Sequence, residues 1–232
     1  MDELLLGVIW YAALIFSLTF HEAAHALAAK RGGDPTAYLG GQVSLDPRPH
    51  IRREQLGTVV VQILSYAMAG WMIGWASTPY DRRWAERYPR RAAWMSLAGP
   101  GANFALVLAA AAVIRIGIFA DLFYAPEELH FAQVVAASGD GIWTALSTLV
   151  SVVFTLNLLL LVFNLIPVPP LDGSGAVTLL LGEGAARRFQ ALLRRPQFAW
   201  IGLLAAWLLI GELFAPIHLA AVNLLYPEFS YG

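Results

Sequence analysis

Cysteine is absent from this 232-residue chain, and charge is scarce: 13% of residues are Asp, Glu, Lys or Arg, against 58% hydrophobic. Without cysteine there can be no disulfide framework and no thiolate metal site, so any metal ion must be held by His, Asp or Glu. A soluble domain carries about a quarter of its residues charged. The low charge and a mean hydropathy of +0.60 therefore exclude water as the main solvent. The formal net charge of -1 says nothing about partners in bulk, whereas the positions of the charges do, and no nucleic-acid partner is expected.

What is present is a set of long apolar runs, 4–29, 56–76, 92–120, 142–166 and 198–225, the last interrupted by Pro216. About 20 helical residues at 1.5 Å each cross a hydrocarbon core of roughly 30 Å. The expected fold is an all-α polytopic membrane protein with five to six transmembrane helices and a short membrane-associated β segment. One membrane domain, residues 1–232, accounts for the chain. Because the chain opens Met1-Asp2-Glu3 and stays apolar for more than twenty residues, the first run is expected to stay in the mature protein as a span.

Charge placement gives the topology. Of 15 basic residues, five fall in 30–53, five in 82–91 and four in 187–195, leaving only Arg115 inside a span. The positive-inside bias puts these three loops in the cytoplasm. Residues 121–140 carry acids and no Lys or Arg, and belong on the other side. Run 56–76 then has basic flanks at both ends and cannot cross once, so a re-entrant, hairpin-like or interfacial course is expected. Between the first two runs, Gln42-Val43-Ser44-Leu45-Asp46 alternates polar and apolar after two glycines, the period of a short strand, with a solvated loop as the alternative.

The strongest chemical signal is His21-Glu22-Ala23-Ala24-His25, near the basic end of the first run. In a helix His21 and His25 stand one turn apart on one face and can share a tetrahedral Zn²⁺, while Glu22 beside them can take a proton from a zinc-activated water. Three ionisable groups within one turn of a membrane helix are costly unless paired or functional, which sets aside the alternative of incidental polar packing. A catalytic zinc needs a third protein ligand. His50, His130, His218 and Glu212 are available, but Asp172 stands apart. It follows an apolar run that Pro167, Pro169 and Pro170 force out of helix, and irregular backbone at membrane depth is tolerated only where it is buried in protein or lines a cavity.

The histidine motif, together with Asn164-Leu165-Ile166-Pro167-Val168-Pro169-Pro170-Leu171-Asp172-Gly173 far downstream, resembles the paired signatures of the site-2 proteases, compact bacterial or archaeal type without PDZ or CBS domains. Leu97-Ala98-Gly99-Pro100-Gly101-Ala102-Asn103 resembles the family's A-G-P-x-x-N stretch, and Val43-Ser44-Leu45-Asp46-Pro47 to His50-Ile51 the segment after its zinc helix. The resemblance covers about three quarters of the chain. It implies one Zn²⁺ per chain, held by His21, His25 and Asp172, with Glu22 catalytic and Asn164 contacting substrate or the oxyanion; for Asn164 the alternative is that it satisfies backbone groups freed before the prolines. Asn103 is a second candidate for such a contact, with helix packing as its alternative. Gly74-Trp75-Ala76-Ser77-Thr78-Pro79-Tyr80 departs from the G-W-A-K-P-V-like stretch of compact relatives by lacking the Lys.

The expected function is hydrolysis of peptide bonds in or near transmembrane segments of membrane-protein substrates, as in regulated intramembrane proteolysis. The partners are the bilayer and substrates with a locally unwound segment, which the Val43–Leu45 strand could grip through its backbone. The setting is a prokaryotic cell membrane, multi-pass, with the active site towards the cytoplasm. The alternative is a zinc transporter or metal sensor using the same ligands, which gives Glu22 no task and lacks the inverted half common in transporters.

Overall fold

The computed structural model describes residues 2–193 and 196–231, so Arg194 and Arg195 of the third basic loop lie outside the described residues. Helix α1 spans Glu3–Gly32; the Asp2 side chain accepts from Leu4 N at its start, and Gly33, at φ 99°, closes it in the left-handed region that glycine tolerates. Short helices α2 (Thr36–Leu39) and α3 (Pro47–Arg53) follow, then a π-helical turn at Leu56–Val60 running into α4 (Val61–Ala69). Beyond α5 (Arg82–Arg87) come two long helices, α6 (Pro89–Phe119) and α7 (Ile142–Leu165). Helix α8 (Asp172–Ala176), a 3₁₀ turn at Val177–Leu180, α9 (Glu183–Leu193) and α10 (Pro196–Leu225) complete the chain.

Among the described residues, four helices are long and apolar enough to cross a membrane: α1, α6, α7 and α10. Five to six were expected, and the described residues supply four such helices. The reason lies in run 56–76, whose helical part stops at Gly70 (φ 73°) after only 14 residues, about 21 Å of rise, too short to span. The chain then returns without regular structure. Tyr66 OH donates to Glu3 O near the start of α1, whereas Asp81 N donates to Asp34 Oδ2 just past its end. The segment is thus a hairpin-like excursion, one of the courses expected for run 56–76.

The expected strand at 42–46 does not form. Asp46 N is held by Ser44 Oγ, His50 Nε2 sits 3.2 Å from Ser44 O, and the Asp46 carboxylate caps α3 by accepting from Arg48 N. These local bonds compete with a ladder, and no strand lies alongside to pair. The only sheet among the described residues is instead in the acidic connection, where β1 (Phe123–Tyr124) pairs antiparallel with β2 (Ala136–Ala137).

Packing is centred on α6, which lies against both α1 and α7. One apolar cluster joins α1 and α7 through Trp10, Leu14, Val152 and Leu156. Another joins α6 and α7 to the acidic connection and the chain's end through Ile114, Phe154, Val134 and Tyr226. Tyr226 OH donates to Val134 O and Tyr231 OH to Pro126 O, so the C-terminal tail closes over the same end as the hairpin. At the opposite end Arg91 donates to Gly32 O, which brings the first two basic segments together.

Candidate metal centre

The site is built by α1, α6 and the broken chain after α7. On α1, His21 and His25 are one turn apart and buried, with their Nε2 atoms 3.0 Å from each other. The backbone after α7 leaves helix at Ile166, turns through the prolines and restarts at Asp172, whose Oδ2 stands 3.1 Å from His21 Nε2 and 3.2 Å from His25 Nε2. Gly173 permits this turn: a Cβ there would meet the carbonyl oxygens of Leu165 and Ile166. Asp172 begins a short helix, but its carboxylate is directed to the two histidines.

On the other flank α6 passes so close that a Cβ on Gly99 would meet Nε2 of both histidines. The ring nitrogens facing away are also engaged. His25 Nδ1 donates to the Met95 carbonyl at 2.7 Å, and His21 Nδ1 lies 2.6 Å from Asn103 Oδ1. An imidazole that donates from Nδ1 carries a lone pair on Nε2. With both histidines in that tautomer, two lone pairs and a carboxylate oxygen converge with mutual spacings of 3.0–3.2 Å. Donors so arranged repel unless a cation lies among them, and the edge of a tetrahedral zinc site with bonds near 2.0–2.1 Å is about 3.3 Å. The residues fit zinc in donor type, number, spacing and outer hydrogen bonds.

Glu22 is buried beside this cluster, its ligand atom within 4.8 Å of those of both histidines, so these three could also hold a metal ion. Asp172, with Oδ2 3.1 and 3.2 Å from the two Nε2 atoms, is the carboxylate in direct polar contact with both imidazoles. All four face a cavity of about 480 Å³, with Asn164, Ser96, Ser174 and the returning residues Ala76, Ser77 and Thr78 on its walls. Thr78 Oγ1 donates to Glu22 O and ties the excursion to the site.

Of the sequence candidates, Asn164 lines the cavity and donates from Nδ2 to Leu160 O, one turn back. Asn103 does not line it: fully buried, it lies behind His21, with Oδ1 on the imidazole and Nδ2 on Asn157. Val43 and Leu45 are not among the lining residues either; that wall is supplied by 76–78. Sequence reasoning passed over Asn157 and Ser17. Each carried a signal, Asn157 as the one amide within the apolar run Leu156 to Val162 and Ser17 as the residue one turn before His21. The Met95 carbonyl left no trace in the sequence, because any residue supplies one.

Residues 9–204 match peptidase family M50. The chain is 32% identical over 172 residues to "Putative zinc metalloprotease YwhC" of Bacillus subtilis (strain 168), covering 74% of this chain and 68% of that protein. It is 31% identical over 197 residues to "Putative zinc metalloprotease Rip2" of Mycobacterium tuberculosis (strain H37Rv), covering 85% of this chain and 65% of that protein. The matches thus span about two thirds of each relative's length. No solved structure matches the chain.

Proposed function

Because the chain belongs to peptidase family M50, the zinc metalloproteases its sequence motifs resemble, we propose that it cleaves membrane-protein substrates in or beside their transmembrane segments. The observation that carries this is the convergence of His21, His25 and Asp172 beside Glu22, in a cavity walled by helices long enough to span a bilayer. Under this reading those three residues hold one zinc. Zinc, when bound, makes a water nucleophilic near neutral pH and polarises the scissile carbonyl.

The chain's own groups do the rest. Glu22 takes the attacking water's proton and returns it to the departing amine. Asn164 lines the cavity as a candidate donor to the substrate carbonyl oxygen as charge develops there. A peptide bond inside an intact helix is shielded by its own side chains, so the substrate must be locally unwound to enter. The wall at 76–78, outside any helix, supplies backbone for such a segment to lie against. A transport reading leaves Glu22 without a task.

Glu22→Gln is expected to retain zinc and lose cleavage of a model membrane substrate by a factor of roughly 10² to 10⁴. Wild-type cleavage by this variant would remove Glu22 as the base. The basic end of the bundle, nearer to His25 than the acidic hairpin is, faces the cytoplasm in this proposal. Single cysteines at 52 and 87 should then react with impermeant reagents from the same face, and one at 128 from the opposite face. Labelling of 52 and 87 from different faces would reject the orientation.

A further inference from the structure

Behind the site, three spanning helices are joined by a chain of side-chain hydrogen bonds whose polarity is fixed at the far end. Ser17 on α1, Asn103 on α6 and Asn157 on α7 each have 0% exposure. Ser17 Oγ donates its one proton to Ala13 O at 2.7 Å, which leaves its lone pairs for an incoming donor. Asn157 Nδ2 donates to Ser17 Oγ at 2.9 Å and to Val153 O at 2.8 Å. Both amide protons of Asn157 are thereby used, and its Oδ1 accepts from Asn103 Nδ2 at 2.8 Å. Asn103 Oδ1 is then what faces His21 Nδ1, at 2.6 Å.

An amide can be turned over with little change of shape, so a lone Asn beside His21 would not choose between accepting from Nδ1 and donating to it. Donation would place the ring proton on Nε2, the nitrogen facing Asp172 and His25, and block coordination there. The ambiguity is removed by Val153 O. Turning Asn157 over would set its own carbonyl oxygen against that backbone carbonyl at about the same 2.8 Å, and the backbone cannot turn to relieve it. We infer that Asn157 and Asn103 are positioning residues: they transmit the fixed direction of the Val153 carbonyl to His21 and hold its imidazole in the tautomer that presents Nε2 to the metal. The inference rests on the proposed role of His21 as a zinc ligand. It gives three polar groups in the bundle interior a common task, at a depth where each would otherwise be costly.

The test uses the full chain, purified in detergent and loaded with zinc. Affinity is read by competition with a chromophoric chelator, and geometry by the visible spectrum of the Co²⁺-substituted protein. Asn157→Leu is expected to lower zinc affinity about 10- to 100-fold and to alter the Co²⁺ bands. In an Asn103→Leu background the same change should have no further effect on affinity, because its influence passes through Asn103. Where Asn157→Leu is not recovered folded, Asn157→Ala, which adds no branched bulk, repeats the cycle. Wild-type zinc affinity in the folded single variant, or losses that simply multiply in the double variant, would overturn the relay and leave Asn157 as helix packing. His21→Ala separates the two layers: retained zinc in that variant defeats the ligand assignment itself, whereas lost zinc there with unchanged affinity in Asn157→Leu defeats only the relay.

Discussion

Helices α1 and α10 are near twins by composition: each runs for 30 residues and each has a spanning stretch of mean hydropathy 1.9. In the fold they differ sharply, with 44% of α1's most apolar stretch buried inside the protein but only 11% of α10's. On α10, Trp200, Ile201, Leu204, Trp207 and Leu208 all point outward, an apolar surface suited to lipid tails. On α1, Ser17, Thr19, His21, Glu22 and His25 are buried. In a bilayer the hydrophobic effect drives a helix into the membrane but does not distinguish lipid from protein as a neighbour; polar groups and close packing do. α1 is central because Ser17, His21 and His25 have partners on α6, α7 and α8, and α10 is peripheral because it brings few groups that need them.

That contrast can be attacked first at its most demanding point. Removing the carboxylate with Asp172→Ala leaves two imidazoles to hold the metal, and the expected outcome is sharply weakened zinc binding with cleavage abolished in folded protein. Elemental analysis after gel filtration, beside a cleavage assay, measures both. Stoichiometric zinc with near-normal cleavage would transfer the role to another carboxylate, Glu22 or Glu212.

A smaller effect is expected from Gly99→Ala, which adds one methyl group where α6 meets the two imidazoles. Overpacking of this kind costs about 1–3 kcal/mol and should push the imidazoles out of register. The variant should show reduced zinc affinity while Gly101→Ala, with open space around it, does not. Equal behaviour of the two glycines would mean that α6 does not press on the site. Least of all should come from Leu208→Ala on the lipid face of α10, 70% exposed. Stability in lipid should change by no more than about 0.5 kcal/mol, with zinc content unaltered. A large loss of stability there would show that α10 is covered by protein instead of lipid.

Much of this was legible in the linear chain. The long apolar runs 4–29, 92–120, 142–166 and 198–225 made α1, α6, α7 and α10 visible, whereas run 56–76 is also apolar but its helix stops at Gly70, short of a span. His21, Glu22 and His25 were legible because a helix fixes the relation between residues four apart. The strand at 42–46 was misplaced because alternation is necessary for a strand but pairing is what makes one. At Gln42–Asp46 the side chains of Ser44 and Asp46 satisfied the backbone first.

The sequence by itself determined the solvent, the apolar runs that become α1, α6, α7 and α10, the two histidines with their neighbouring glutamate, and the prolines that free Asp172 from helix, since each follows from local composition or one helical turn. Only the tertiary structure decided that the Asp172 carboxylate comes within 3.2 Å of both imidazoles, that Gly99 leaves room for them, and that Asn103 turns to His21 and not to the cavity. Those are relations among residues 74 to 151 positions apart on separate helices. Periodicity carries no information across such gaps; the packing of α1, α6 and α7 against one another supplies it.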